Sequence, residues 1–325
     1  MTVPSAPPHT ASARPDAVTL REVGLRDGLQ SLPQFVPTER KLAWLRAEHA
    51  AGLRAVEVSS FVPPKLMPQL ADAAEMVAGA LALPGMTVTV LVPNLKGAER
   101  ALAAGAHGLL VPVSASASHS LANVRKTPQE MIREVAAIRA ARDAAGSSCR
   151  IEVAISTAFG CTIQGEVPLA DVIDLLKAAR DAGAEELGLS DTVGFADPGQ
   201  VARFFEAGRR AVGDLLSCAH FHDTRGLGMA NAVAAFQQGI RAFDASLGGL
   251  GGCPHAPGAS GNVATEDLAF LFEQMGAPSG LDVDALLAMR QPLAQWVDGA
   301  PLHGHVWRAG RPRALRPAAA EAVAH

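Results

Sequence analysis

The chain has no tyrosine, no C-x-x-C cysteine pair and no apolar run of the length, about 18 residues, that spans a membrane. Its four cysteines, Cys149, Cys161, Cys218 and Cys253, are widely spaced. In a chain of 325 residues that spacing argues for reduced thiols and a cytoplasmic setting rather than a disulfide framework. Residues 1–17 are rich in Pro, Ala and Ser and lack the apolar stretch of a secretory signal, and Arg14 is their only basic side chain, so neither a signal nor a mitochondrial transit peptide is expected. No surplus of positive charge exists either. The net charge is -4 and the sequence pI is about 6.2, and the nearest thing to a basic run, Arg308 to Arg316, is short. A general nucleic-acid surface is therefore excluded.

What is present is apolar and ordered in rhythm. Hydrophobic residues make up 49% of the chain and charged residues 18%, far from a disordered composition. Eight strand-like runs alternate with helical patterns. They are Val18 to Asp27, Ala55 to Ser60, Thr87 to Val92, Gly108 to Val113, Arg150 to Ser156, Glu186 to Ser190, the stretch from Cys218, and Ala242 to Leu247. The intervening helices include one opening at Thr38, with Leu42, Leu45 and His49 on one stripe, and one near residues 66–82. Thr127-Pro128 with Glu130 forms a capping box, and Asp197-Pro198 repeats the signal of a capping residue followed by proline. Between Gly108–Val113 and Thr127 the sequence reads as a long Ser/His/Asn-rich loop. Regular strand–helix alternation predicts a closed (β/α)8 TIM barrel. An open doubly wound sheet is the alternative, but no G-x-G-x-x-G follows an early strand. Residues 1–17 are expected to be disordered, 18–300 to form the barrel with capping helices near Asn262 to Gly276 and Val283 to Trp296, and 301–325 to be a tail, with no second domain.

Polar residues fall at the strand ends. His220 and His222 are two apart on one strand, so they project to one side while Phe221 points to the other. The pair suits a metal, or equally a hydrogen-bonded polar pair at a barrel mouth. Arg26-Asp27, Glu57 and Ser60, Asp191-Thr192, and Cys253 and Asn262 sit at or just beyond the ends of four other strands. In a barrel all these ends meet on one face, where active sites of this fold lie. Asp27, His220, His222 and an amide or carbonyl oxygen make a mixed N/O set without thiolate, which favours six-coordinate Mg²⁺ or Mn²⁺ over closed tetrahedral Zn²⁺. Blander readings stand beside these. Asp27 could serve only as a salt-bridge partner of Arg26, Glu57 could neutralise an arginine, and Cys253, after the glycines of Gly248 to Gly252, could be an inert buried thiol rather than part of a mobile lid. Cys149, Cys161 and Cys218 read as structural.

Six segments occur in one order: Gly24-Leu25-Arg26-Asp27-Gly28-Leu29-Gln30, Ser60-Phe61-Val62-Pro63-Pro64-Lys65, Pro93-Asn94-Leu95-Lys96-Gly97, His220-Phe221-His222-Asp223-Thr224, Gly251-Gly252-Cys253-Pro254, and Gly258 to Asp267. Together, from about residue 18 to 300, they resemble the 3-hydroxy-3-methylglutaryl-CoA lyase family. The resemblance implies a divalent metal, Mg²⁺ or Mn²⁺, on Asp27, His220, His222 and Asn262. It implies that Arg26 stabilises a thioester enolate, that Glu57 belongs to the catalytic cluster, and that Cys253 or His220 moves a proton. Gln30, Ser60, Asp191 and Thr192 are expected to join Arg26 in binding the CoA thioester substrate, within leucine degradation and ketone-body formation. Leu25, Ser31-Leu32, Thr157, His255 and the segment Ser114 to Thr127 depart from the family pattern.

The expected reaction is metal-dependent cleavage of 3-hydroxy-3-methylglutaryl-CoA to acetoacetate and acetyl-CoA. A lyase for a related thioester such as citramalyl-CoA, or a condensing enzyme of the isopropylmalate or homocitrate synthase type, is the alternative. A metal-dependent hydrolase with His-x-His would carry that pair on the first strand, not the seventh, and a barrel kept only for binding would not need the full catalytic set. No nucleic-acid or membrane partner is expected, and a homodimer is one arrangement left open.

Overall fold

A computed structural model describes residues 17–252 and 261–312. Eight parallel strands close into a barrel in sequence order. They are β1 (Thr19–Glu22), β2 (Ala55–Ser60), β3 (Thr87–Leu91), β4 (Gly108–Ser114), β5 (Arg150–Ser156), β6 (Glu186–Asp191), β7 (Leu216–Phe221) and β8 (Ala242–Ala245). Around them lie α1 (Thr38–Ala50), α2 (Ala73–Leu81), α3 (Leu95–Ala103), α4 (Ala117–Val124), α5 (Pro128–Ala144), α6 (Leu169–Asp181), α7 (Pro198–Val212) and α8 (Gly228–Gln237). Helices α9 (Thr265–Gln274), α10 (Val283–Trp296) and the short α11 (Val306–Ala309) follow β8. Val56, Val58, Val88, Val90, Val111, Ile151, Val153 and Leu189 are fully buried, as expected for parallel strands covered by helices.

The expected (β/α)8 architecture is what forms. Both cap signals act as read: Thr127 and Glu130 exchange the two hydrogen bonds of a capping box, and Asp197 accepts from Gln200 N–H ahead of Pro198. Several boundaries differ. β1 ends at Glu22, not Asp27, because the chain turns into one π-helical turn, Gly24–Gly28, whose N–H groups at Arg26, Asp27 and Gly28 all reach the carbonyl of Val23. The segment read as a loop after β4 contains α4, capped by Ser116 accepting from His119 N–H. The helix expected near 66–82 begins only at Ala73, after a 3-10 turn at Pro68–Leu70. β8 likewise ends at Ala245, before a 3-10 turn at Leu247–Gly249. On α1 the buried stripe is Lys41, Trp44, Leu45 and Glu48, one position away from the apolar stripe expected, because Lys41 and Glu48 are buried by specific partners. Lys41 binds both oxygens of Asp72 at 2.8 and 3.1 Å and the carbonyl of Gln69 at 2.6 Å. Residues 301–312 pack back on the barrel: His303 N–H donates to Gly248 O at 2.6 Å, and Asp267 accepts from His305 and Val306 N–H.

A buried carboxyl pair sets the position of the first turn. Glu22 accepts from Gly24 N–H at 2.7 Å, Leu247 N–H at 3.0 Å and the Thr265 hydroxyl at 2.7 Å. One side chain thus joins the end of β1, the loop after β8 and the start of α9. Gly24 has no room for a side chain there, since a Cβ would lie 2.5 Å from Glu22 Oε1. Glu48 faces Glu22 from α1, and both are fully buried. Burial pushes the Glu22 carboxyl up to about 7, its hydrogen bonds offsetting only part of the effect, and burial beside Glu22 pushes Glu48 well above its ordinary value.

A carboxyl whose folded pKa lies above its unfolded value contributes stability that is complete below the unfolded value, 4.5, and is lost as pH rises through about 7. The pair should therefore weaken the fold between about pH 5 and pH 8, by an amount on the order of 3 kcal/mol. Glu48→Gln removes one titrating carboxyl while keeping its shape. Urea unfolding across that window should show a shallower loss of stability in Glu48→Gln than in the wild type, whereas equal slopes would contradict the upward shift of the Glu48 carboxyl.

Candidate active site

The π-helical turn after β1 places Arg26 and Asp27 inside the mouth of the barrel, both buried. Arg26 makes a bidentate pair with Glu57 on β2, Nε to Oε1 at 2.7 Å and Nη2 to Oε2 at 2.8 Å, and its Nη1 donates to Asp27 Oδ1 at 2.5 Å. Both plain readings of these carboxylates, a salt bridge for Asp27 and a neutralised arginine for Glu57, are thus part of the arrangement rather than rivals to it. Three of the five guanidinium N–H bonds are used, and two remain to meet a substrate. Glu57 is 0% exposed; burial pushes its carboxyl up, and the Arg26 charge offsets only part of that. Arg26 itself is held firmly as a cation, its pKa raised by Glu57 and Asp27 against the effect of burial.

Asp27 gathers the other partners. Gln30 Nε2 donates to Oδ1 at 2.6 Å and Asn262 Nδ2 to Oδ2 at 2.8 Å, while His222 Nε2 lies 3.5 Å from Oδ2. Burial alone would raise this carboxyl, but the Arg26 charge and the neighbouring histidines hold it well below the usual carboxylate range. His220 is the penultimate residue of β7, its ring 5.2 Å from that of His222, which lies just past the strand in a bridge to Asn262. Phe221 between them points outward and packs on Phe159 and Phe205 in the helical layer. His220 Nδ1 is 3.1 Å from Asp244 Oδ2. Burial lowers the His220 pKa, yet the Asp244 contact outweighs it and the net shift is upward.

Asp27, His220 and His222 each offer one ligand atom, all within 4.8 Å of one another, and are the group among the described residues able to hold a metal ion. Asn262 is brought to the same point. Its Oδ1 is buried and meets no hydrogen-bond donor among the described residues, while its Nδ2 is fixed by Asp27 and by Leu250 O at 3.0 Å. An acceptor oxygen without a donor, a carboxylate and two imidazoles suit a divalent cation, and a set with no thiolate among the described residues favours a hard one. The loop bringing Asn262 in requires glycine at close quarters. Gly251 has φ +115°, and a Cβ there would lie 2.7 Å from Asn262 Nδ2. At Gly261, with φ +96°, it would lie 2.0 Å from Gly251 O.

The remaining expected residues are less free. Ser60 is buried and its hydroxyl accepts from Val62 N–H at 3.3 Å, closing a turn. Asp191 accepts from Phe195 and Ala196 N–H at 2.8 and 3.1 Å, and Thr192 Oγ1 accepts from Thr157 N–H at 2.8 Å, so both fix loop backbone beside the site. Thr157 is one of three residues other than glycine with positive φ among those described, at 53°, a strained conformation for a β-branched side chain. Cys253 and residues 254–260 lie outside the described residues. Cys149, Cys161 and Cys218 are buried and unpaired, as read from their spacing. Sequence reasoning missed Asp244, Arg21 and Glu152, charged residues within strand interiors. The available signal was charge inside short strands: Arg21 beside Glu22 in β1, Glu152 between Ile151 and Val153 in β5, and Asp244 as the one charge of β8.

The HMGL-like family model matches residues 17–292. The hydroxymethylglutaryl-CoA lyase of Bacillus subtilis is 40% identical over 291 residues, covering 89% of this chain and 95% of that protein. The mitochondrial hydroxymethylglutaryl-CoA lyase of Macaca fascicularis is 40% identical over 273 residues, covering 84% and 83%. The solved structure of an HMG-CoA lyase from Acinetobacter baumannii, in complex with coenzyme A and 3-methylmalate, has a TM-score of 0.87 to this chain at 37% identity, covering 94% of this chain and 99% of that one. With its barrel, its strand-end residues and relatives of this closeness along most of its length, the chain belongs to the HMGL-like family of lyases.

Proposed function

We propose that the protein cleaves 3-hydroxy-3-methylglutaryl-CoA to acetoacetate and acetyl-CoA, with one Mg²⁺ or Mn²⁺ ion held by Asp27, His220, His222 and Asn262. The observation that carries this reading is the convergence of that donor set on Asp27, which shares one turn with the Arg26 guanidinium, in a chain 40% identical to hydroxymethylglutaryl-CoA lyases. The relatives named above are enzymes of that reaction by name, and the same substrate fits the residues here.

The reaction breaks the bond between C2 and C3 of the acyl group. The electron pair goes to a thioester enolate and the C3 hydroxyl becomes the ketone of acetoacetate. A bound divalent cation supplies Lewis acidity to the hydroxyl and carboxylate oxygens of the substrate and lowers the cost of losing the hydroxyl proton. Arg26 supplies preorganised positive charge for the enolate oxygen through its two unused N–H bonds, and Glu57 keeps the guanidinium from turning away. Gln30 keeps its amide oxygen for the substrate while its Nε2 is tied to Asp27. Asp191, Thr192 and Ser60 shape the pocket through the loops they brace. Cys253 is the group left to take the hydroxyl proton and pass it to the enolate carbon, giving acetyl-CoA, because His220 is occupied at both ring nitrogens by the ion and by Asp244. Among the described residues no helix is long and apolar enough to cross a membrane, and the unpaired thiols suit a reducing compartment such as the cytoplasm.

Purified protein with Mg²⁺ and hydroxymethylglutaryl-CoA should release acetyl-CoA, and EDTA should stop it. Turnover of citramalyl-CoA alone would move the substrate, and activity surviving EDTA would remove the metal from the account. Arg26→Lys keeps the charge but loses the fork that serves Glu57 and the enolate together, so kcat should fall by about 10²–10³ with a smaller change in KM. Mn²⁺ at a hundredfold excess over Kd should stabilise the wild type against heat by about 2.7 kcal/mol. His222→Ala should show no such response, and an equal response in the variant would place the ion elsewhere.

A further inference from the structure

His220 stands in register with Asp244 of β8, and Asp244 in register with Arg21 of β1. Residues in register on adjacent parallel strands point to the same side, so the three side chains form a row across the inner wall of the barrel. Asp244 Oδ2 lies 3.1 Å from His220 Nδ1, and Arg21 grips the same carboxylate with Nε to Oδ1 at 2.7 Å and Nη2 to Oδ2 at 3.1 Å. Arg21 also reaches across the barrel to Glu152 on β5, Nη2 to Oε1 at 2.9 Å and Nη1 to Oε2. Asp244, Arg21 and Glu152 have no part in the chemistry described above. Side chains this costly to bury need a reason to be there.

We propose that Asp244 is a positioning residue that fixes His220 in the tautomer carrying its proton on Nδ1, so that the Nε2 lone pair is left for the divalent cation. The inference rests on the metal site proposed above. An ionised carboxylate only accepts hydrogen bonds, so at 3.1 Å the imidazole nitrogen facing it must be the donor. A neutral imidazole has one N–H, and placing it on Nδ1 settles which nitrogen is free. Arg21 holds Asp244 as an anion by meeting both of its carboxylate oxygens, with Nε at 2.7 Å and Nη2 at 3.1 Å. The two histidines are therefore unequal. His222 Nδ1 is buried with no hydrogen-bond partner among the described residues, and the carboxylate that its Nε2 faces at 3.5 Å is Asp27 of the donor set itself, so no carboxylate outside that set orients it. His220 is the ligand whose orientation is built in before any ion arrives. Carboxylate partners of this kind are worth about 10–100-fold in metal affinity elsewhere.

The test reads the imidazole directly. In ¹⁵N spectra of the metal-free wild type at alkaline pH, with His220 assigned by its loss in His220→Asn, Nδ1 should carry the proton and Nε2 should be bare. In Asp244→Asn, where Arg21 keeps Glu152 as a partner, the His220 proton should redistribute toward Nε2. Mn²⁺ titrated by electron paramagnetic resonance should bind that variant about 10–100-fold more weakly. A wild-type His220 protonated on Nε2 would overturn the proposal, and so would a folded Asp244→Asn with unchanged Mn²⁺ affinity. If the variant does not fold, the wild-type spectrum decides alone. Neither readout uses turnover, so failure to cleave hydroxymethylglutaryl-CoA would count against the substrate and not against this tautomer.

Discussion

A carboxylate taken out of water must be compensated by charge or hydrogen bonds, and the Asp27 carboxylate, 6% exposed, is the point on which this barrel mouth depends. Its compensation comes from separate parts of the chain: Arg26 and Gln30 near the first turn, His222 just past β7, and Asn262 on the loop after β8. Those contacts do two things at once. They keep Asp27 ionised at any physiological pH, and they hold a strand end, a turn and a loop at fixed distances from one another. A donor set able to hold a cation is in that sense a by-product of solving the desolvation of one carboxylate. The second carboxylate on Arg26, Glu57, extends the same logic to β2 and leaves the guanidinium with only two directions in which to act.

Below that layer the barrel carries more charge than a packed core needs. Arg21, Glu152, Asp244 and His220 link four strands through its interior, and Glu22 ties the first turn to the loop after β8 and to α9. Replacing buried ion pairs of this kind with apolar side chains is often neutral or stabilising, so stability is a poor reason for them. Orientation is a better one. Each pair ends on a residue that supports the site: Asp244 on His220, and Glu22 on the N–H of Gly24, two residues before Arg26. The upward-shifted Glu22 carboxyl makes the cost visible, as stability given up at higher pH in exchange for a fixed turn.

The architecture was legible because strand and helix periods alternate without interruption, and because Thr127, Pro128, Asp197 and Pro198 carry strong local cap signals. The candidate ligands were legible for a different reason: in a closed barrel the strand ends must meet, so position in sequence already implied position in space. What could not be read was set by contacts distant in sequence. The turn at Gly24–Gly28 looked like a continued strand because its geometry depends on Val23 O receiving three N–H groups and on Glu22 holding Leu247 and Thr265. The α1 stripe was displaced because Lys41 and Glu48 count as polar until Asp72 and Glu22 are known to face them. Asp244 was missed because a single Asp in a short strand acquires its meaning only from the register that sets it beside His220 and Arg21.

The measurement closest to the centre of this account is anomalous diffraction from crystals of the protein grown with Mn²⁺. One peak within bonding distance of Asp27, His220, His222 and Asn262, with its remaining positions open toward Arg26, is the result expected. A peak bound by other residues, or none at this point in crystals that hold Mn²⁺ elsewhere, would contradict it.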